Sequence, residues 1–217
     1  MELWNIWTAL ITSSIELLPS LFGMPEAISI IVFTLAARML LMPISFKSAY
    51  NMHKNKLAIE EVKPETERLK NLYKGNPEEL AKRTMALYKK NGIRFIDRTT
   101  ILNIGTQGIL GVGIFQAIKA MIFNSKFLWI TDIAKPDIIL AIFVGVLTFL
   151  SMFMMPGIAE QSTLMIFVIP ALFSVLVLAS FPSAIGLYWA TSNMVTLGQT
   201  LVLRFVISRE NRAAGRT

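Results

Sequence analysis

The 217-residue sequence contains no cysteine and only one histidine, His53. The lack of cysteine excludes a disulfide framework and any thiolate metal site, and it leaves the redox compartment open. With one histidine, placed in a polar and basic stretch, neither a histidine metal cluster nor an imidazole-based triad can be built. Charge is sparse too. Asp, Glu, Lys and Arg make up 16% of the chain, against 54% hydrophobic residues. Soluble domains carry more charge and less apolar content. Acidic residues are missing from inside the apolar runs and fall in loops, in the tail or at run ends, as with Asp97, Asp132, Asp137 and Glu160. No nucleotide motif is present, so no ATP use, cofactor or metal is expected. The opening MELWNIW lacks a basic n-region and carries Glu2, so it does not read as a secretory signal.

What the chain does contain is apolar runs close to membrane-spanning length. They cover residues 25–46, 99–123, 137–155, 163–181 and 184–207. At about 1.5 Å per residue they can cross a hydrocarbon core of about 30 Å, the shorter ones only just. Helices satisfy their own backbone hydrogen bonds in lipid, so the expected fold is an all-α membrane protein with five transmembrane helices. Residues 3–18 differ from these runs. Asn5 and Glu16 interrupt them, Pro19 follows, and Trp4 and Trp7 share one helix face, which predicts an amphipathic helix lying in the membrane interface, with a sixth, short span as the alternative.

Basic residues give the orientation. Between Lys47 and Arg98 there are 13 Lys or Arg and 7 Asp or Glu, and the tail 208–217 adds Arg209, Arg212 and Arg216. The 124–136 connection has only Lys126 and Lys135. The positive-inside rule therefore puts 47–96 and the C-terminus in the cytoplasm and the N-terminus outside. Topology thus accounts for the net charge of +7, which is poor support for specific nucleic-acid binding. Within 47–96 the pattern predicts a charged helical hairpin. AIEEVKPETERLKNLYKG forms one arm, with Pro64 opening its second part, and NPEELAKRTMALYKKNG forms the other. Asn76 caps the second arm, Pro77 takes its first helical position, and Glu79 completes a capping-box spacing. Gly75 and Gly92 suit the two C-terminal ends. Leu69, Leu72 and Tyr73 can meet Leu80, Met85, Leu87 and Tyr88 in a seam. The hairpin is either a solvated connection or a docking arm.

One residue stands out: Arg38, inside VFTLAARMLLMPI and roughly 13 Å from Lys47 along a helix. A charge at such a position costs a few kcal/mol and normally faces protein or a wet cavity. With no carboxylate available, a hydrated cavity in the cytoplasmic leaflet is expected. Backbone carbonyls or snorkelling to phosphate are the structural alternative. Thr34 lies one turn earlier on the same face. Asn103, Thr106 and Gln107 in the second run, and Tyr188, Ser192 and Asn193 in the fifth, could line the same space, although polar groups in spans also glue helices together. Met152, Phe153, Met154, Met155 and Met165 form either core or a soft surface for varied apolar clients.

Four fragments, IIVFTLAARMLLMPISFK, MALYKKNGI, FLWITDIAKPD and FPSAIGLYWATSNMVTLGQTLVLR, resemble the YidC/Oxa/Alb family of membrane insertases in order and spacing, over about residues 4–207. The resemblance implies five core spans, a preceding interfacial helix, a cytoplasmic hairpin and a hydrophilic groove in the cytoplasmic (inner) membrane. By position it implies Arg38 as the groove arginine with Thr34 beside it, Gln107 as the second-span groove glutamine, and Tyr188 and Trp189 as the client-contacting aromatic pair. Ser192 and Asn193 complete the candidate client-binding set. The chain departs from the family after LYKKNGI, where RFIDRTTILNIGTQGILGVG has no proline, which marks a divergent, compact member. The expected function is a non-enzymatic insertase and chaperone. Its partners would be nascent membrane proteins and the lipid bilayer, with the ribosome or a translocon as further candidates. A non-catalytic adaptor or client-restricted paralogue is the alternative. A small-solute transporter fits less well, because neither inverted repeats nor paired midplane charges appear.

Overall fold

The structure is a computed structural model that describes residues 2–94, 97–155 and 164–213. Among the described residues it has eight helices and no strand: α1 Glu2–Phe22, α2 Glu26–Glu61, α3 Lys63–Leu72, α4 Pro77–Lys90, α5 Arg98–Ala120, α6 Ile138–Phe153, α7 Met165–Leu178 and α8 Ser183–Ala213. Helices α2 and α5 carry windows long and apolar enough to cross a membrane, and α6 and α7 are shorter apolar helices. At 1.5 Å per residue α6 and α7 are about 24 Å and about 21 Å long. Phe95, Ile96, the 156–163 connection with Glu160, and the end of the tail with Arg216 lie outside the described residues.

Several boundaries differ from those read in the sequence. α1 does not stop at Pro19 but runs on to Phe22. Proline lacks the N–H for the Ile15 carbonyl but does not disturb the bonds that follow it, and its own carbonyl still accepts from Gly23 N at 2.9 Å. Gly23, at φ 62°, ends the helix instead. The run 25–46 is only the first part of α2, which continues through Lys47 to Glu61 because nothing between them breaks a helix. The AIEEVKPETERLKNLYKG pattern is therefore split at Val62. Pro64, in the first turn of α3, has no N–H for the Glu60 carbonyl and its ring crowds that carbonyl, and Val62 takes φ −92° and ψ 2° where the two helices part. The basic tail is no separate segment either: α8 passes 207 and reaches Ala213.

The chain divides into two compact units, Met1–Pro43 with Ile104–Thr217, and Ile44–Asn103. In the first, α6 packs against α7 and α8, and the fully buried Ile30, Ile114, Ile118, Ile133, Ala141 and Val144 belong to one apolar core. Helix α1 docks on α5 through the two tryptophans. Trp4 Nε1 donates to Gln116 Oε1 at 2.6 Å and Trp7 Nε1 to the Ile109 carbonyl at 3.4 Å. A Cβ on Gly113 would come within 2.5 Å of Trp7 Nε1, so glycine lets the indole lie on the helix. The remaining apolar face of α1, with Leu3, Ile6, Leu10, Leu17 and Leu21, is exposed.

The second unit holds the hairpin. Val62, Leu87 and Ile93 are buried together, with Ala58, Ile59, Leu69 and Tyr88 packed on them. Leu72 and Met85, expected in the seam, are 75% and 64% exposed. The end of α2 and Ile93 take their place. Asn76 caps α4 by accepting from Glu79 N at 3.1 Å, but the Glu79 carboxylate turns to Arg83 at 2.8 Å, leaving half a capping box. Gly92 takes a left-handed φ of 68°, as a helix end requires; Gly75 does not. Asn76→Ala should cost α4 about 1 kcal/mol, read as faster amide exchange at Glu79. Unchanged exchange there would remove the cap from the account.

A polar ladder on α2 holds the entry to α5. Asn51 Nδ2 donates to Asp97 Oδ2 at 2.6 Å. Asn55 Nδ2 donates to the Arg94 carbonyl at 2.6 Å. Thr100 N donates to Asp97 Oδ1 at 2.7 Å. Hydrogen bonds from Thr100, then from Asn51 and Thr99, outweigh the opposing effect of burial and hold the Asp97 carboxyl down at about 2, against its ordinary 3.8. A carboxylate whose pKa falls on folding stabilises the native state above its unfolded pKa, and that contribution fades as pH drops through the folded value. Unfolding of the 44–103 unit in detergent should therefore grow easier as pH falls from about 4 to about 2, and Asp97→Asn should flatten that dependence. Identical profiles for both proteins would rule Asp97 out.

Candidate functional site: a half-buried cation bridging three helices

Apolar residues surround Arg38 on α2, and the side chain is half-buried. Its guanidinium fork reaches two other helices. On α5, Gln107 Oε1 accepts from Nη1. On α8, the Thr196 hydroxyl accepts from Nη2 at 3.1 Å and the Ser192 carbonyl at 3.2 Å. Thr196 Oγ1 in turn donates to that same carbonyl at 3.0 Å, the usual back-bond of a helical threonine, which leaves its lone pairs to the arginine. Every acceptor is neutral. Among the described residues Nε has no hydrogen-bond partner and no carboxylate pairs with the charge. The site holds a cation by dipoles alone, so it remains attractive to an anion.

Arg38 also borders a cavity of about 280 Å³ with Tyr188, Trp189, Ser192, Asn193 and Phe115. Gly111 brings α5 close to α8 here: a Cβ on it would lie 3.0 Å from Tyr188 Oη. The cavity thus has one charged corner and an aromatic wall.

The candidate residues do not all play the same part. Arg38, Tyr188, Trp189, Ser192 and Asn193 share the cavity wall, and Gln107 meets Arg38. Thr34 is fully buried and spends its hydroxyl on the Ile30 carbonyl of its own helix, at 2.7 Å. Asn193 also serves as glue, since its amide donates to Thr148 Oγ1 at 2.8 Å and its carbonyl accepts from Ser151 Oγ at 3.2 Å, tying α8 to α6. Thr106 lies in the wall of a separate apolar cavity of about 610 Å³ between α1, α2 and α5. Thr196 is the residue that sequence reading missed. The signal was present: Tyr188, Ser192 and Thr196 follow one another at four-residue spacing, on one stripe of α8. Phe153, from the methionine-rich group, stacks on Phe149 at 5.8 Å and meets Phe167 edge-on at 5.9 Å, while remaining 46% exposed. Among the described residues no cluster of His, Asp or Glu could hold a metal ion.

The sequence profile of the 60Kd inner membrane protein family matches residues 17–210. The chain belongs to this family. Relatives include the membrane protein insertase YidC of Oceanobacillus iheyensis, 29% identical over 93% of this chain and 83% of that protein. The membrane protein insertase MisCA of Bacillus subtilis is 30% identical over 85% of this chain and 72% of its own length. The YidC of Helicobacter pylori is 30% identical over 85% of this chain, which spans only 34% of that longer protein. The resemblance carried by Arg38 and the FP-x₃-GLYW fragment is thus a family relationship. The family is described as one of inner membrane proteins, and α2 and α5 carry exposed apolar residues on helices long enough to cross a membrane.

Proposed function

We propose that this protein is a membrane insertase and chaperone that moves client helices from the cytoplasm into the bilayer without a chemical step. One observation carries the reading: a permanent cation, neutralised by no carboxylate among the described residues, sits among apolar helices beside an aromatic-walled cavity. A purely structural arginine would bond backbone carbonyls or snorkel to phosphate; one acceptor here is the Ser192 carbonyl, but Gln107 and Thr196 are side chains and the guanidinium also borders the cavity. The names of the relatives agree with this reading.

In this reading α2, α5, α6, α7 and α8 are five spans, α1 rests in the interface, the N-terminus is outside, and the hairpin and C-terminus are cytoplasmic. The hydrophilic flank of a client enters the cavity, where Arg38, Gln107, Ser192 and Thr196 replace part of its hydration. Tyr188 and Trp189 support the apolar part of the client as it slides into lipid. Its own transfer drives the step, at about 0.8 kcal/mol per buried CH₂. The membrane potential assists acidic segments by about 2.3 kcal/mol per charge per 100 mV. Nascent membrane proteins are the clients, and the ribosome or a translocon would deliver them.

The test is insertion of a single-span client with an acidic translocated tail into liposomes, scored by protease protection of the tail. Protection that requires the protein supports the insertase. Protection no greater than in empty liposomes, with the protein shown to be folded, rejects it in favour of an adaptor.

A further inference from the structure

The segment joining α5 to α6 contains a feature that the insertion mechanism does not use. Residues 127–130 form a tight two-residue turn. Phe127 N donates to the Ile130 carbonyl at 2.9 Å and Ile130 N to the Phe127 carbonyl at 2.8 Å. Leu128 within it has φ 51°. It is the one non-glycine residue among those described with a left-handed backbone, a conformation unfavourable for a leucine. Such strain persists only where the surroundings impose it, and it often marks a functional position.

The surroundings here do impose it. The base of the turn is anchored, with Ile130 and Ile133 buried at 3% and 0% exposure and Phe127 packed on the core. Ile133 N donates to the Ser125 carbonyl at 3.1 Å, and the start of α8 fastens the segment from the other side, Ala184 N to the Ile133 carbonyl at 3.0 Å and Ser183 Oγ to the Lys135 carbonyl at 2.6 Å. Trp129 Nε1 donates to Asp137 Oδ1 at 3.2 Å, the same oxygen that caps α6 through Leu140 N. A rigid base thus holds an apolar tip outward, Leu128 at 75% and Trp129 at 47% exposure. Folding would ordinarily bury these two side chains, and this backbone projects them.

We propose that the 127–130 turn is a bilayer anchor that seats Leu128 and the Trp129 ring in the headgroup–acyl boundary of the leaflet reached by the C-terminal end of α5 and the N-terminal end of α6. Three features identify lipid as the occupant. Exposed apolar residues flank the tip along the chain, Ile122 just past α5 at 85% and Ile138 and Ile139 at the start of α6 at 56% and 59% exposure. The turn pairs the backbone groups of Phe127 and Ile130 with each other, and those of Leu128 and Trp129 would face the hydrated headgroup side of the boundary. Tryptophan favours this boundary. The anchor would hold the α5–α6 end of the protein at a set depth while other helices move. The inference needs only the membrane location, not the insertase activity.

Because the chain has no cysteine, one introduced thiol reports a single position. Leu128→Cys would carry a nitroxide in phosphatidylcholine–phosphatidylglycerol vesicles, and its accessibility to oxygen and to an aqueous nickel complex would give its depth. Asn71→Cys on exposed α3 and Val146→Cys on the exposed face of α6 mark the water and lipid extremes. The anchor predicts a depth between the two, shallower than Val146. A label as wet as that at Asn71 overturns it, and so does one shielded from both reagents, which would mean a protein partner. Tryptophan quenching by lipids brominated near the headgroup provides a second readout without labelling. Trp129→Phe should remove part of that quenching, and an unchanged value overturns the proposal. No client is involved, so failed insertion and a failed anchor are separate results.

Discussion

Arg38→Ala should cut insertion of a client with an acidic tail by about tenfold to a hundredfold and leave the protein folded. The magnitude follows from the interaction that is lost. Hydrogen bonds to a charged group contribute about 1.5–3 kcal/mol, and each 1.4 kcal/mol is about a factor of ten. Folding survives because two effects oppose each other. Removing the arginine takes one donor each from Gln107, Thr196 and the Ser192 carbonyl, a loss of about 1–3 kcal/mol. It also removes a charge that costs a few kcal/mol among apolar helices. Arg38→Lys should recover part of the activity, since an ammonium keeps the charge but cannot fork between α5 and α8. Clients with neutral tails should be nearly indifferent to either change. Protease protection of matched acidic and neutral clients measures the contrast. An equal loss for both would make Arg38 a structural clamp rather than an attractor of acidic segments.

Gly145→Leu should destabilise the protein more than any surface change, by about 1–3 kcal/mol or somewhat more. Gly145 is buried where α6 meets α7, and an added Cβ would run into Val175 Cγ2 and lie 3.3 Å from the Ala171 carbonyl. The side chain can yield but the carbonyl cannot without shifting α7. Membrane helices have no hydrophobic force between them in lipid and associate by close packing of small residues, so separating them forfeits the contact itself. The smaller Gly145→Ala should be destabilising alone and close to neutral when combined with Val175→Ala, which removes the atom in the way. Thermal unfolding in detergent of the two single variants and the double would give this coupling. Additive effects would show that the α6–α7 contact is not what Gly145 protects.

The residues most plainly legible in the sequence were those whose environment is set by composition. Long apolar runs without carboxylates can only be helices buried in lipid or protein, so the all-helical character and the exceptional status of Arg38 needed no coordinates. The Asn76–Pro77 start of α4 was readable because capping is chemistry between neighbours in the chain. The partners of Arg38 were less accessible. Gln107 and Ser192 are 69 and 154 residues away from it, and periodicity says which face a residue occupies but not which helix lies opposite. For the same reason Thr196 escaped notice, and Thr34, on the right face, proved to bond its own helix. The unbroken run of α2 past Lys47 shows a further limit: hydropathy marks where lipid contact ends, whereas a helix ends only at a cap or a breaker, here ahead of Pro64. Leu128 is the extreme case. Nothing about a leucine predicts a left-handed backbone, and only the anchoring of Phe127, Ile130 and Ile133 imposes it. The sequence by itself thus determined the helical class and the cation among apolar residues, because these depend on composition and on neighbours along the chain, and four fragments carried the resemblance to the family. The tertiary structure alone decided what the cation touches, which polar groups serve as glue and where an apolar tip is held outward, because those depend on which distant surfaces pack together.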